Sequence, residues 1–248
     1  MPRARGVKMT ESDQKLAITG GRTQSRFILL FCYMMLQFMI IPIFEGSFVL
    51  GAFDDLIYFT LIFYTLISIR CTRLLWASSL LFLLLFISYI AMLLQPANQM
   101  IIVTLNFFTS AFLISAIVSM LIFILGMEQI TLNGVMGGLC VYLLIGAVFM
   151  MLYINVELLV PGSFSFGNHG TDLNTLQMYD LLYFYSFVSL LTIGYGDIVP
   201  MSHLAQTLTV LEGLVGQFYM VFCVAVLVGM YVSERQPADH DVSPKAPD

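Results

Sequence analysis

Apolar residues fill long uninterrupted stretches of this chain, and most polar residues lie in the shorter segments between them. Six apolar stretches approach or exceed the roughly 20 residues that an α-helix needs to cross a bilayer. They cover residues 27–44, 53–69, 74–94, 100–125, 134–156 and 204–232. A seventh stretch, 178–191, is too short to cross and predicts a re-entrant helix. The pattern therefore predicts an all-α integral membrane protein with six transmembrane helices plus one re-entrant helix.

Composition and charge agree with a membrane protein and predict its orientation. The chain is 59% hydrophobic and 10% charged, whereas a soluble domain has about 25% charged residues. If both termini are cytoplasmic, all 10 Lys and Arg residues fall on the cytoplasmic side. The charged residues of the loops on the opposite side are then all Asp or Glu. Basic residues are enriched in cytoplasmic loops of membrane proteins. We therefore predict a multi-pass protein of the cell (plasma or inner) membrane with both termini inside.

A short glycine-containing segment, residues 192–197 with the sequence TIGYGD, separates the re-entrant stretch from the last apolar stretch. Glycine at alternate positions lets the backbone adopt positive φ at little steric cost, so that successive carbonyls can face the same way. Four such segments around an axis would form stacked rings of carbonyl oxygens able to replace the hydration shell of K⁺. The segment resembles the T-x-G-Y-G-D selectivity filter of potassium channels.

The resemblance covers about residues 134–232 and implies a pore module. Its parts are an outer helix (134–156), a pore helix (178–191), the filter (192–197) and an inner helix (204–232). A closed filter needs four strands and the chain carries one, so the implied assembly is a homotetramer of this chain with three further copies, surrounded by membrane lipid. The resemblance assigns K⁺ to the backbone carbonyls of Thr192, Ile193, Gly194 and Tyr195, with Gly196 at the outer mouth.

Several further residues are expected to support or line this pore. The supports of the filter are predicted to be Asp197 and the aromatic residues Tyr183, Phe184 and Tyr185. Gly216 lies 19 residues after Asp197, where the family commonly places a hinge glycine; close helix packing is an equally good explanation. One face of the inner helix is predicted to line the cavity, with Gly213, Gln217, Met220 and Val224.

Two acidic residues in apolar stretches need their own interpretation. Asp180 is expected near the start of the pore helix, where the positive end of the helix dipole stabilises a carboxylate. Glu212 lies inside the last apolar stretch, and an acid there is a functional candidate. It is either neutral and hydrogen-bonded to the pore-helix backbone, or ionised as a group that attracts cations. We favour the structural role, which makes Glu212 a further support of the filter.

The remaining segments are the two tails and the first four predicted spans, which bear on whether voltage controls the channel. Residues 27–126 would form a four-helix membrane domain, flanked by a cytoplasmic tail at 1–26; a short tail, 233–248, ends the chain. The fourth span has no charged residue, which predicts gating that is not steeply voltage-dependent.

The expected function is passive, K⁺-selective conduction without enzymatic activity, with no cofactor beyond the permeant ion and no nucleic-acid partner. The alternatives are a non-conducting or modulatory subunit and, ranked last, a membrane enzyme or transporter.

Overall fold

The structure, a computed structural model, describes residues 26–40, 57, 59–64, 67, 72–94, 98–127, 132–167 and 173–235. Six helices and two short strands are delimited within these residues. They are α1 (Arg26–Ile40), α2 (Thr72–Leu94), α3 (Gln99–Leu125), α4 (Leu132–Leu159), β1 (Phe164–Ser165), α5 (Thr175–Leu190), β2 (Val199–Pro200) and α6 (His203–Arg235). Residues 57, 59–64 and 67 are also helical.

The helices lie where the apolar stretches predict them, with small shifts at their ends. The first predicted span continues to residue 44, and residues 41–44 lie outside the described part. Most of the second predicted span, 53–69, and most of both tails also lie outside it. Among the described residues, two helices are long and apolar enough to cross a membrane, Gln99–Leu125 and Asn133–Leu159. The helical content and these two helices fit an all-α membrane protein.

Helix α4 is the centre of the packing. It contacts α1 and α3 on the side of the N-terminal helices, and α5 and α6 on the side of the predicted pore. Its side chains Cys140, Val141 and Leu144 are fully buried, as expected for a helix surrounded on several sides. Helix α2 contacts the bundle through α3. The arrangement places α5 and the segment after it against α4 and α6.

The start of α4 is joined to the start of α1 by polar contacts. The backbone N–H of Phe27 donates to Asn133 Oδ1 over 3.1 Å, and Cys140 Sγ lies 3.6 Å from the Phe27 carbonyl oxygen. Asn133 is buried, 4% exposed, so its side chain satisfies one of the helix-end N–H groups of α1 that have no partner within the helix.

Candidate functional site

A capping box determines where the pore helix α5 begins. Asn174 accepts a hydrogen bond from the Gln177 N–H over 2.8 Å, and Gln177 Oε1 accepts one from the Asn174 N–H over 3.1 Å. This reciprocal pair satisfies two N–H groups at the start of the helix. The expectation that Asp180 lies near the start of the helix is wrong. The helix begins at Thr175 and has no acidic residue in its first turn, because the amide cap starts it earlier than the apolar pattern indicates.

The segment after α5 has the backbone conformation that its glycines predict. The φ angle is +56° at Thr192, +64° at Gly194 and +77° at Gly196, whereas Ile193 and Tyr195 are not in the positive region. This alternation allows the carbonyls of successive residues to face one side. Thr192 is the only described residue other than glycine with positive φ, and that conformation costs a β-branched residue about 1–3 kcal/mol.

Hydrogen bonds to the end of α5 hold the first residues of this segment. The Thr192 N–H donates to the Ser189 carbonyl over 3.0 Å, and the Ile193 N–H donates to the Val188 carbonyl over 2.9 Å. Residues 191–197 are nevertheless all exposed in the isolated chain. The segment is therefore anchored at its start and exposed along its length in the isolated chain.

Of the three predicted aromatic supports, Phe184 contacts the filter tyrosine of the same chain. Its ring is stacked on that of Tyr195, with centroids 6.0 Å apart and planes 5° apart. Tyr185 is buried; its hydroxyl lies 2.7 Å from Thr209 Oγ1, and its ring meets Tyr153 edge-on. Tyr183 packs against Phe187. Tyr185 thus joins α5 to α4 and α6, the Tyr183–Phe187 contact lies within α5, and Phe184 lies against the predicted filter.

A loop between α4 and α5 holds the chain immediately after the filter. Strand β1 pairs antiparallel with β2, with Ser165 opposite Val199. The carboxylate of Glu157 accepts hydrogen bonds from the N–H groups of Gly162 and Phe164, over 2.8 and 2.9 Å. These bonds hold the loop in a turn that presents β1 to β2. This contact was not predicted from the sequence; its signal there is a Pro-Gly pair at 161–162 shortly after an acid.

The same loop reaches Asp197, the last residue of the predicted filter. A Cβ atom on Gly167 would lie 2.6 Å from the Asp197 carbonyl oxygen, and Gly167 has a φ of +52°. Both the positive φ and the lack of space favour glycine here. Asp197 is exposed, and its Oδ1 accepts a hydrogen bond from the Ile198 N–H over 3.1 Å. The predicted filter support Asp197 therefore lies between the filter and the loop that carries Gly167.

Two tyrosines join α4 to the end of α5 and to the middle of α6. Tyr142 on α4 donates to the Leu190 carbonyl near the end of α5 over 2.8 Å. Tyr219 on α6 donates to the Gly138 carbonyl on α4 over 2.6 Å. Their rings are stacked, with centroids 6.1 Å apart. These contacts hold the carboxyl end of the pore helix and the middle of α6 to α4.

Gly216 lies where α6 comes close to the end of α5. It is buried, and a Cβ atom at this position would lie 2.6 Å from Leu190 Cδ1. Close packing therefore gives a physical reason for this glycine, and its role as a hinge stays a prediction. Gly213 has open space around it. Gln217 and Met220 are exposed in the isolated chain, and the Val224 side chain lies outside the described part, so the cavity-lining face also stays a prediction.

Glu212 on α6 is fully buried, and its side chain lies against α4 and α5. Its Oε2 accepts a hydrogen bond from the Tyr153 hydroxyl of α4 over 2.6 Å. Its Oε1 lies 2.5 Å from Ser186 Oγ of α5, and Ser186 Oγ also lies 2.9 Å from the Gly146 carbonyl oxygen of α4. The partner on the pore helix is thus a side chain, so the expected bond to the pore-helix backbone is wrong. Ser186, about one turn before the end of α5, reaches Glu212 with its short side chain, while helix carbonyls bond within the helix.

Helix α3 also contacts α5, the predicted pore helix. The Tyr179 hydroxyl of α5 donates to Asn106 Oδ1 of α3 over 2.9 Å. Asn106 is 2% exposed, and its Nδ2 atom is buried without a hydrogen-bond partner in the described part of the structure. A buried amide in an apolar helix is costly unless it is bonded. The bond to Tyr179 is therefore a specific polar link between α3 and the pore helix.

Comparisons with known proteins support one part of this picture. Residues 138–233 match a protein-family model described as "Ion channel". No curated protein and no solved structure matches the chain. Within the described residues, no group of three or more His, Cys, Asp or Glu side chains is placed to hold a metal ion. The matched segment, which is less than half of the chain, contains most of α4, all of α5 and most of α6, and together with the apolar helices it supports an ion-channel domain located in a membrane.

Proposed function

We propose that this chain forms a homotetrameric, potassium-selective channel in which K⁺ passes through a filter made by residues 192–197. The observation that carries the proposal is the alternation of φ at Thr192, Gly194 and Gly196, in an exposed segment directly after a capped helix. Such a segment can present a row of backbone carbonyls, the ligands that replace the water shell of K⁺ in potassium channels. The ion-channel match over residues 138–233 supports the same assignment.

Each filter residue has a defined role in this proposal. The carbonyls of Thr192, Ile193, Gly194 and Tyr195 bind K⁺, and the Thr192 hydroxyl supplies the innermost ring. Selectivity requires that these ligands keep their positions when the smaller Na⁺ enters. The stacking of Phe184 on Tyr195 and the bonds from the filter to the end of α5 would restrain the carbonyl ligands in this way.

The open side of the filter supports assembly into a tetramer. One chain supplies one carbonyl strand, and a ring of ligands around K⁺ needs four. Large apolar side chains of α6 are also exposed in the isolated chain, with Phe218 at 70% and Val221 at 68%. Cyclic symmetry around the filter would bring one face of α6 towards the axis and leave other faces for neighbouring chains and lipid. Three further copies of this chain are therefore the proposed partners.

Voltage control is expected to be weak. Residues 100–125 contain no charged side chain, and each charge that crosses the field contributes about 2.3 kcal/mol per 100 mV. The polar link between Asn106 and Tyr179 offers a mechanical contact between α3 and the pore helix instead. We propose that the N-terminal helices brace the pore through contacts of this kind.

The test is ion flux from liposomes that contain the purified protein, with paired glycine variants. Gly194→Ala places a Cβ at a φ of +64° in the filter, and Gly162→Ala places one at +82° in the outer loop. Neither new methyl group meets an atom within 4 Å, so the two variants carry similar backbone strain. We expect the wild type and Gly162→Ala to pass K⁺ in preference to Na⁺, and Gly194→Ala to lose this preference.

The outcomes separate the proposal from its main alternative. Equal loss of selectivity in both variants would show that backbone strain alone, and not the filter, explains the effect. Absence of flux from the purified wild type, together with stable assembly, would favour a modulatory subunit that needs another pore-forming chain.

A further inference from the structure

We propose that Glu212 is a protonated carboxylic acid that positions the pore helix, donating its hydrogen to Ser186 while Ser186 donates to Gly146. The consequence for conduction rests on the function proposed above, whereas the protonation can be measured without it. The arrangement makes Glu212 a positioning residue of the filter, acting through α5.

The count of hydrogen atoms supports this assignment. Ser186 Oγ lies within hydrogen-bond distance of two oxygens, the Gly146 carbonyl at 2.9 Å and Glu212 Oε1 at 2.5 Å. A carbonyl and an ionised carboxylate bring no hydrogen, and a serine hydroxyl brings one. Two close oxygen pairs therefore share a single hydrogen if Glu212 is ionised. A proton on Oε1 supplies the missing hydrogen, and Tyr153 still donates to Oε2.

In the part of the chain that the structure describes, the side chains that contact Glu212 are Ser186 and Tyr153, and neither is positively charged. No Lys or Arg occurs between Arg73 and Arg235. Arg235 is 23 residues further along α6, roughly 35 Å at the rise of an α-helix. The titratable groups that interact with Glu212 are the phenols of Tyr142, Tyr153 and Tyr185, which are neutral when protonated. A fully buried carboxylate without a cationic partner is strongly unfavourable, so the neutral acid fits this site better.

The neutral acid also explains how three helices are held together. Glu212 on α6 donates to Ser186 on α5, and Ser186 donates to the Gly146 carbonyl on α4. Tyr153 on α4 donates to the other oxygen of Glu212. Every polar atom named here then has a partner of the right kind. Ser186 is two residues before Val188, whose carbonyl accepts the hydrogen bond from Ile193 of the filter. A shift of Ser186 would therefore be passed to the entrance of the filter.

Infrared difference spectroscopy of the full-length protein tests the protonation. The spectrum of Glu212→Gln is subtracted from that of the wild type at neutral pH. We expect the difference to contain the carbonyl stretch of a protonated carboxylic acid. Loss of carboxylate bands without this band would overturn the proposal. If Glu212→Gln does not fold, Glu212→Asp serves instead, because a protonated acid there would shift the same band, whereas an ionised one would shift carboxylate bands only.

Flux measurements on the same proteins test the positioning role. The amide of Gln can donate to Ser186 and accept from Tyr153, so Glu212→Gln should keep K⁺ flux and selectivity. Glu212→Leu removes both functions, takes away the acceptor of the buried Tyr153 hydroxyl and the hydrogen donated to Ser186, and should lower the functional population by about fivefold or more. Equal damage by both variants would overturn the positioning role. A silent wild type whose infrared band is present would contradict the proposed function and still support the protonated acid.

Discussion

Gly216 offers the sharpest test of how the inner helix meets the filter. Replacement by alanine places a Cβ atom 2.6 Å from Leu190 Cδ1, where contacts below 3.0 Å force a neighbour to move. Leu190 is 1% exposed, and its carbonyl is held by the Tyr142 hydroxyl. The leucine therefore has little room to move away, and its main chain leads directly into the filter.

The size of the effect follows from two opposing contributions. Overpacking a well-filled site costs about 1–3 kcal/mol, and replacing glycine by alanine inside a helix contributes about 1 kcal/mol of stability. Gly216→Ala should thus lower the free energy of unfolding by about 0–2 kcal/mol. Gly213→Ala is the matched control on the same helix, because its new methyl group meets nothing within 4 Å. It should raise the free energy of unfolding by about 1 kcal/mol, so the two variants should differ by about 1–3 kcal/mol.

The assay is denaturant unfolding of the purified protein, read beside K⁺ flux from liposomes. Leu190→Ala is combined with Gly216→Ala to remove the atom that the new methyl group meets. If packing explains the glycine, the two changes should show a favourable coupling energy of about 0.5–3 kcal/mol. A hinge role predicts a different result, in which Gly216→Ala changes gating and Leu190→Ala brings no rescue. Indistinguishable behaviour of Gly216→Ala and Gly213→Ala would refute the packing argument.

Two further predictions concern hydrogen bonds of α5 and of the loop before it, and a third concerns the uncharged α3. Tyr179→Phe removes the donor to Asn106 and leaves a buried amide oxygen unsatisfied, so it should lower the free energy of unfolding by about 1–3 kcal/mol; an unchanged unfolding curve would contradict the link between α3 and α5. Glu157→Gln leaves one side-chain oxygen for two backbone donors and should speed amide exchange at Gly162 or Phe164 by about fivefold, whereas unchanged exchange would show that the carboxylate does not hold the loop. The conductance of liposome-reconstituted protein should depend weakly on voltage, and a steep dependence in symmetrical K⁺ without blocking ions would disprove the argument from the uncharged α3.

Features that depend on neighbouring residues in the chain could be predicted from the sequence. The apolar stretches gave the positions of α2 to α6 to within a few residues, because a helix that faces lipid or other helices must be apolar over its length. The positive φ at Gly194 and Gly196 agrees with the alternate glycines of the segment, because glycine adopts such angles at little steric cost. The start of α5 was missed because an amide cap at Asn174 determined it, and the apolar run begins only after the first turn.

Contacts between distant residues could not be predicted in the same way. Glu212 was recognised as an unusual residue, yet its partners Ser186 and Tyr153 are 26 and 59 residues away, and nothing local marks a serine or tyrosine as a partner. The positive φ at Thr192 was likewise hidden, because a β-branched residue disfavours it and only the surrounding structure imposes it. The close approach of Gly216 to Leu190 depends on how two helices cross, which the residue pattern of one helix does not determine.

The reversal potential of liposome-reconstituted wild-type protein tests the central claim most directly. With K⁺ on one side and an equal concentration of Na⁺ on the other, a K⁺-selective filter at residues 192–197 should give a current that reverses far from zero, at a voltage that opposes the flow of K⁺ into the Na⁺ solution. The expectation rests on the proposed rings of carbonyl oxygens, which would replace the hydration shell of K⁺. A current that reverses near zero in this gradient would contradict the account, since it would show a pore that passes both ions alike.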